Sequence, residues 1–381
     1  MKLALVHDWL NQVGGAEDVL STLVAMYPQS SVYTSIYAPD RMPAAYRNWD
    51  IHTLWLDRLP GIHTHHQAYL PLYPLVWGNL DLSDYDVVLS NKSGFCHGLR
   101  HQPEILHICY CLAPTRYVWQ LDEYVAREGL GRAVLLGLRP LVAWLKQWDY
   151  RAAQRVDHFI AISTEIQARI KRYYDRESVV IYPPVDTQRF NMSASEPGNY
   201  FLIVSRLIPY KRIDLAVQAA TRLGLPLKIG GSGRDLERLR AMAGPTVEFL
   251  GYVPDEQLPQ LMAGSKAFIF PGLEDFGITP VQAQAAGRPV IAFAGGGALD
   301  TVVPGVTGEH FNALTVESLV EVMQRFDANA YDPTVIREHA SRFDTRVFER
   351  QLDAFVNQAY EAHVEGRPFV WQEPMATEGE I

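Results

Sequence analysis

The stretch AFIFPGLEDFGITPVQAQAAGRPVIAFA, residues 267–294, decides how the rest of the chain is read. It opens on a short apolar run rich in aromatic and branched side chains, the composition of a buried strand. Glu274 and Asp275 then fall in a loop, Gly277 opens a helical stretch that ends at Gly287, and Pro289 to Ala294 form a second strand-like run. A strand, a helix and a strand in that order give a parallel pair, which needs cover on both faces. The same rhythm extends toward the N-terminus through YFLIVSR (200–206), LPLKIGG (225–231) and TVEFLG (246–251). It recurs earlier still in KLALVH (2–7), SVYTSIY (31–37), YDVVLS (85–90), ILHICY (105–110) and DHFIAIS (157–163).

Between the two sets lies YPPVDTQRF, Tyr182–Phe190, where two prolines stiffen the chain, followed by the polar, turn-rich NMSASEPGN. That composition marks an interdomain linker. The fold class is therefore α/β with two doubly wound, Rossmann-like domains and a cleft between them. The expected bounds are 1–185 for the first domain, 186–345 for the second, 346–364 for a helix crossing back to the first, and 365–381 for a flexible acidic tail.

With 381 residues, 48% hydrophobic and 20% charged, the chain is long enough for two such cores and unlike a disordered one. Its 34 Lys and Arg against 43 Asp and Glu give a net charge of -9, which disfavours a nucleic-acid partner, so an anionic ligand has to meet a local basic patch. The three cysteines, Cys96, Cys109 and Cys111, form no CxxC pair, so neither a disulfide framework nor a thiolate zinc site is expected. MKLALVHDWL lacks a signal-peptide core, and no run of 18 apolar residues occurs, which together point to the cytoplasm.

Ligands of open parallel sheets bind beyond the carboxyl ends of the strands, so candidate groups are sought there. Gly14 and Gly15 follow KLALVH and precede a helix, where backbone N–H groups could approach a phosphate; an ordinary strand-to-helix loop is the competing reading. Arg206 and Lys211, five apart after YFLIVS, could clamp a diphosphate, the first through its fork and the second as a point charge. After AFIFP, the Glu274 carboxylate can accept two sugar hydroxyls, and the free N–H groups of Gly277 to Thr279 can meet oxygens.

Five motifs in order, the N-terminal glycine loop, SRLIPYKR, GYVPDEQL, EDFGITPVQAQAAGRPVIA and GGGALDTVVPGVTG, give the chain a resemblance to the retaining GT-B glycosyltransferases of family 4. Through YCLAPTRYVW and VIYPPVDTQRF it most resembles bacterial mannosyltransferases of surface-polysaccharide assembly, which take GDP-mannose and a lipid-linked acceptor. The resemblance implies that Arg206 and Lys211 hold the donor diphosphate and stabilise the leaving group. It also implies that Glu274 holds the sugar hydroxyls, that the backbone of Phe276, Gly277 and Ile278 contacts sugar or phosphate, and that Gly251, Tyr252 and Val253 frame the base. The family's second glutamate is Gln282 here, an amide able to bond a ribose hydroxyl, and Leu112 stands where relatives often carry histidine.

On the acceptor side, Lys92 and His97 follow YDVVLS and are candidates to reach the cleft, His97 as a catalytic group near the reacting sugar; Arg116 and Tyr117 are candidates to touch the acceptor or its phosphate. His63, His65 and His66 lack the carboxylate or cysteine pattern of a metal site and read as a solvated loop. From Gly129 to Arg155, Val134, Leu138, Leu141, Leu145 and Trp148 recur at helical spacing, with Arg132, Arg139 and Lys146 on another face. This suits an interfacial helix with Trp144 and Trp148 at headgroup level, or else a core helix with a wet basic face, interrupted or kinked at Pro140. The function expected is metal-independent, cofactor-free hexosyl transfer from a nucleotide sugar to a glycan or polyprenyl-diphosphate-linked acceptor, in the cytoplasm at the inner membrane face. Two readings stand beside it, a nucleotide-sugar-binding protein without transferase activity and a sugar-nucleotide epimerase.

Overall fold

The structure, a computed structural model, describes residues 1–121, 132–190 and 198–375. Contacts divide the described residues into two units, one of Met1–Tyr182 with Glu349–Pro374 and one of Pro183–Phe348 with Met375. The first unit holds a sheet of β1 (Leu3–His7), β2 (Val32–Thr34), β3 (Ile51–Thr53), β4 (Val87–Lys92), β5 (Leu106–Cys111), β6 (His158–Ala161) and β7 (Ser178–Val180). Its order is β3-β2-β1-β4-β5-β6-β7 and every pair is parallel. The second unit holds β8 (Phe201–Val204), β9 (Leu227–Gly230), β10 (Val247–Gly251), β11 (Ala267–Phe270), β12 (Val290–Phe293) and β13 (Gly308–Phe311). Their order is β10-β9-β8-β11-β12-β13, again all parallel.

Burial explains why the central strands were legible. Every residue of β1, β4, β5 and β11 is buried, so selection for apolar, branched side chains acts on both faces. β3, β7 and β13, absent from the expected set, are three of the four edge strands. An edge strand has one neighbour and tolerates polar residues, as in Ile51-His52-Thr53 and Gly308-Glu309-His310. In each sheet the chain steps outward through two strands and then returns to the other side of its first strand, at β1 and at β8. Ligand crevices of such sheets lie at that reversal.

The helix Arg132–Ala153 runs through Pro140 without interruption, where the core-helix reading allowed an interruption or a kink. Val142, Leu145, Ala152 and Ala153 are buried, while Leu136 and Trp144 are 60% and 47% exposed. Gly129 to Gly131, and the linker residues 191–197, lie outside the described residues.

The expectation of a flexible tail from 365 is corrected for residues up to 374. Phe369 and Trp371 pack on Phe355 of the helix Thr345–Val364, with ring centroids 5.0 and 5.2 Å apart, and Phe369 also meets His158 at 4.6 Å. The Gln358 side chain donates to the Gln372 carbonyl at 3.0 Å and accepts from its N–H at 3.2 Å, tying the segment down as an added strand would. Composition marks the segment as polar, but its two aromatic rings carry the packing. Residues 376–381 lie outside the described residues.

Candidate active site

The second unit gathers its candidates at the β8–β11 reversal. The chain leaves β8 through Ser205–Arg212 before the helix Ile213–Leu223, and leaves β11 through Pro271–Gly277 before the helix Ile278–Ala285. Because β11 lies beside β8, the two exit loops meet, and the Lys211 ammonium donates to the Glu274 carboxylate. The two side chains are only 15% and 16% exposed, so each charge depends on the other for much of its stabilisation. Lys211 Nζ also lies 5.5 Å from the Tyr210 ring centre. Arg206, five residues before Lys211, is exposed, and its guanidinium has no hydrogen-bond or ion-pair partner among the described residues.

A third loop, after β12, closes the cluster from below. The Gly297 N–H donates to the Glu274 carbonyl at 2.9 Å. A Cβ on Gly296 would fall 2.1 Å from that carbonyl, and one on Gly297 would fall 2.2 Å from Phe276 Cα, so only glycine lets the two backbones approach this closely. Phe276 is buried edge-on against Phe343, at 5.7 Å between centroids, which fixes the loop from its inner side. Gly277, at φ +99°, turns the chain into the helix, leaving the first N–H groups at Ile278 and Thr279 without helical acceptors. Gln282 is half-buried one turn further on, and its amide makes no hydrogen bond among the described residues. Beyond β10, the Gly251 carbonyl accepts from Gly231 N–H at 2.6 Å, Val253 is half-buried, and Tyr252 is 76% exposed. The second unit thus offers one uncommitted guanidinium, one paired ammonium, one carboxylate, an idle amide and a helix start. That set matches an anion joined to a hydroxyl-bearing body.

The first unit places its candidates differently. Lys92 is fully buried and donates to the Ala113 carbonyl at 2.8 Å and to Thr115 Oγ1 at 3.3 Å. His97 is also fully buried, its Nε2 3.4 Å from the Asp149 carboxylate, and burial followed by the Lys92 charge holds its pKa well below the usual histidine range. Asp149 in turn accepts from Thr115 at 2.8 Å, Trp119 Nε1 at 2.6 Å and Tyr174 at 2.8 Å. The expectation that Lys92 and His97 touch an acceptor is therefore corrected: they belong to an internal polar network with no exposure for such contact. Arg116 and Tyr117 are half-buried, Tyr117 lying 6.4 Å from the Trp9 ring. Gly14 caps the helix Gly15–Met26, whose first turn already carries Glu17 and Asp18, with Glu17 buried against His7 at 3.4 Å.

One residue of this unit had no sequence signal beyond its place immediately after β1. Asp8 is fully buried, and its carboxylate accepts from the N–H groups of Ser93, Gly94, Phe95 and Cys96 at 2.7, 2.5, 2.6 and 2.8 Å. It thereby shapes the exit loop of β4 at the first sheet's reversal. The histidine cluster takes separate partners, His63 with Asp57 at 2.8 Å, His65 with Thr64 at 2.8 Å and His66 with Asn11 at 3.0 Å. It sits on helical turns and not on a loop, with His65 exposed, His63 half-buried and His66 buried. Cys96, Cys109 and Cys111 are free and buried, and burial pushes the thiols of Cys96 and Cys109 well above the ordinary range.

Residues 184–343, which hold the Lys211–Glu274 cluster, match the family Glycosyl transferases group 1, and residues 13–189 match Glycosyltransferase Family 4. The chain is a family 4 glycosyltransferase of the GT-B fold. Its architecture is shared by the Anabaena HepE protein solved with UDP, at TM-score 0.70 and 18% identity over 94% of this chain and all of that one. A sucrose-phosphate synthase from Thermosynechococcus elongatus superposes at TM-score 0.73, with 19% identity over 95% of this chain and 100% of that one. Among curated relatives, a GDP-mannose-dependent alpha-mannosyltransferase of Mycolicibacterium smegmatis is 27% identical over 81% of this chain and 84% of its own length. Glycogen synthase of Xanthomonas oryzae pv. oryzae is 35% identical over 34% of this chain, which spans only 27% of that relative's length. Among the described residues of this glycosyltransferase, no helix is long and apolar enough to cross a membrane.

Proposed function

We propose that this protein is a retaining hexosyltransferase that moves mannose from GDP-mannose to a glycan or polyprenyl-diphosphate-linked acceptor in surface-polysaccharide assembly. It works without a metal, in the cytoplasm at the inner membrane face. The observation that carries the reading is the Lys211–Glu274 pair beside the uncommitted Arg206. The mannosyl donor is supported by the Mycolicibacterium smegmatis relative named for it, which this chain matches over 81% of its own length.

In this mechanism the Arg206 fork takes the donor diphosphate first, and Lys211 turns from Glu274 to the same anion. Glu274, released from its cation, accepts hydroxyl groups of the hexose, so one exchange of partners loads both ends of the donor. Gln282 takes a ribose hydroxyl, and Tyr252 and Val253 border the base. The bond from the anomeric carbon to the diphosphate oxygen breaks while the acceptor hydroxyl approaches on the same face. Its proton passes to the departing phosphate oxygen, so no protein base is consumed. Two charged hydrogen bonds on the leaving group, at about 1.5–3 kcal/mol each, lower the barrier by roughly 3–6 kcal/mol where the charge develops only in the transition state.

A thermal-shift panel of GDP, UDP, ADP and their sugars tests the donor, with GDP and GDP-mannose expected to give the largest shifts. Product analysis tests the reaction: transfer releases GDP and glycosylates the acceptor, an epimerase returns an altered nucleotide sugar, and a binding protein returns the donor unchanged. Glu274→Gln should depress transfer, because a neutral amide holds the hexose hydroxyls less strongly than a carboxylate, while GDP binds at least as well as before, since the amide no longer competes for Lys211. Equal loss of transfer and GDP affinity would assign Glu274 to holding the fold.

A further inference from the structure

The two charges of the Lys211–Glu274 pair face each other because of where two strand exits lie. A Cβ on Gly272 would fall 2.9 Å from the Lys211 carbonyl oxygen and 3.0 Å from its Cα, so the exit loop of β11 rests directly on the Lys211 backbone. On its other side that loop is held where the Gly297 N–H meets the Glu274 carbonyl at 2.9 Å. Both side chains are largely shielded from water. Solvent and salt therefore screen the pair weakly, and whatever parts it has to replace what each charge loses. Arg206 differs, since it is exposed, has no partner among the described residues, and stands open to any anion that arrives.

We infer that Glu274 is a specificity determinant through its ion pair: it makes the site favour a diphosphate that carries a sugar over the bare nucleoside diphosphate, and so drives product out. The inference rests on the proposed nucleotide-sugar donor and extends it to the step after transfer. An intact donor brings a partner for each charge, its diphosphate for Lys211 and its hexose hydroxyls for Glu274, so the pair parts with neither charge left alone. A bare nucleoside diphosphate brings only the first. To take Lys211 it must leave a carboxylate unpaired in a largely buried position, the unfavourable half of breaking such a pair. Otherwise it binds through Arg206 alone. Once the hexose has passed to the acceptor, Glu274 has lost its hydroxyl partners, Lys211 returns to it, and the nucleoside diphosphate is released as the pair re-forms. The residue that holds the sugar thereby limits inhibition by the product.

The test is calorimetric titration of the full chain, which needs no transfer. GDP and GDP-mannose are titrated into the parent, Glu274→Gln, Lys211→Met and the double variant, and the series is repeated with UDP and UDP-glucose. The parent should bind the donor more tightly than the bare diphosphate of the same base; equal binding overturns the inference without any variant. Glu274→Gln should tighten the bare diphosphate about tenfold, as for one charged hydrogen bond regained, and the donor by less, since the donor also loses its carboxylate. In the Lys211→Met background the same exchange should alter bare-diphosphate affinity by less than about twofold, because no ammonium is set free. A gain that persists without Lys211 would be plain repulsion by the carboxylate and would overturn the exchange of partners, as would a bare diphosphate bound no more tightly by Glu274→Gln than by the parent. The expected pattern seen with UDP and UDP-glucose alone would refute the GDP-mannose reading and uphold this one, whereas a parent that binds no nucleotide of either base would overturn both.

Discussion

Gln282, whose amide has no hydrogen bond among the described residues, lies one turn inside the helix capped by Gly277, at the position where the family resemblance implies a glutamate. If that amide accepts a ribose hydroxyl, Gln282→Glu should keep donor affinity or raise it, because a charged acceptor forms the stronger bond. Gln282→Leu should weaken GDP and GDP-mannose by similar factors, since the ribose is common to both; calorimetry with both ligands reads this directly, and unweakened binding would remove Gln282 from the site. At this scale the second unit was legible because the groups proposed to hold the donor, Arg206, Lys211 and Glu274, are charged residues at strand ends. The first unit was not. Lys92 ends β4 and His97 follows it, yet their side chains turn inward to Thr115 and Asp149, and nothing in their spacing separates that outcome from an exposed one. Asp8 escaped notice for the reverse reason, since its partners are backbone N–H groups, which leave no mark on the sequence.

The helices that frame the Lys211–Glu274 cluster depend on how they begin. Gly277 combines φ +99° with a Phe270 ring atom 2.7 Å from where a Cβ would stand. Gly277→Ala should therefore cost about 2–6 kcal/mol, from backbone strain of roughly 1–3 kcal/mol and overpacking of roughly 1–3 kcal/mol. Urea denaturation would measure the loss, and a cost below about 1 kcal/mol would mean the turn relaxes without strain. Strands were read from the sequence wherever both faces are buried, whereas of the four edge strands β10 was read and β3, β7 and β13 were missed. The packed segment through Phe369 and Trp371 was misread because a polar average concealed two aromatic anchors spaced one residue apart, on one side of an extended chain.

The molecule as a whole should lose stability below neutrality. His97 and His107 are fully buried, and burial holds both folded pKa values well below the ordinary 6.5. Below pH 6.5 the unfolded chain binds protons that the folded chain refuses, so the stabilisation is complete above that pH and is lost as pH falls toward the folded values. Each histidine contributes a slope of up to about 1.4 kcal/mol per pH unit. Denaturation midpoints between pH 7 and 5 should fall accordingly, and His107→Asn should flatten the slope; a midpoint constant over that range would contradict neutral burial of both rings. The three cysteines, all buried and two with their thiols held in the unreactive form, carry a practical consequence for spectroscopy. Thiol-directed dyes should find a silent background in the folded protein, so a single Tyr252→Cys substitution gives site-specific labelling on the exposed turn after β10 with every native cysteine left in place.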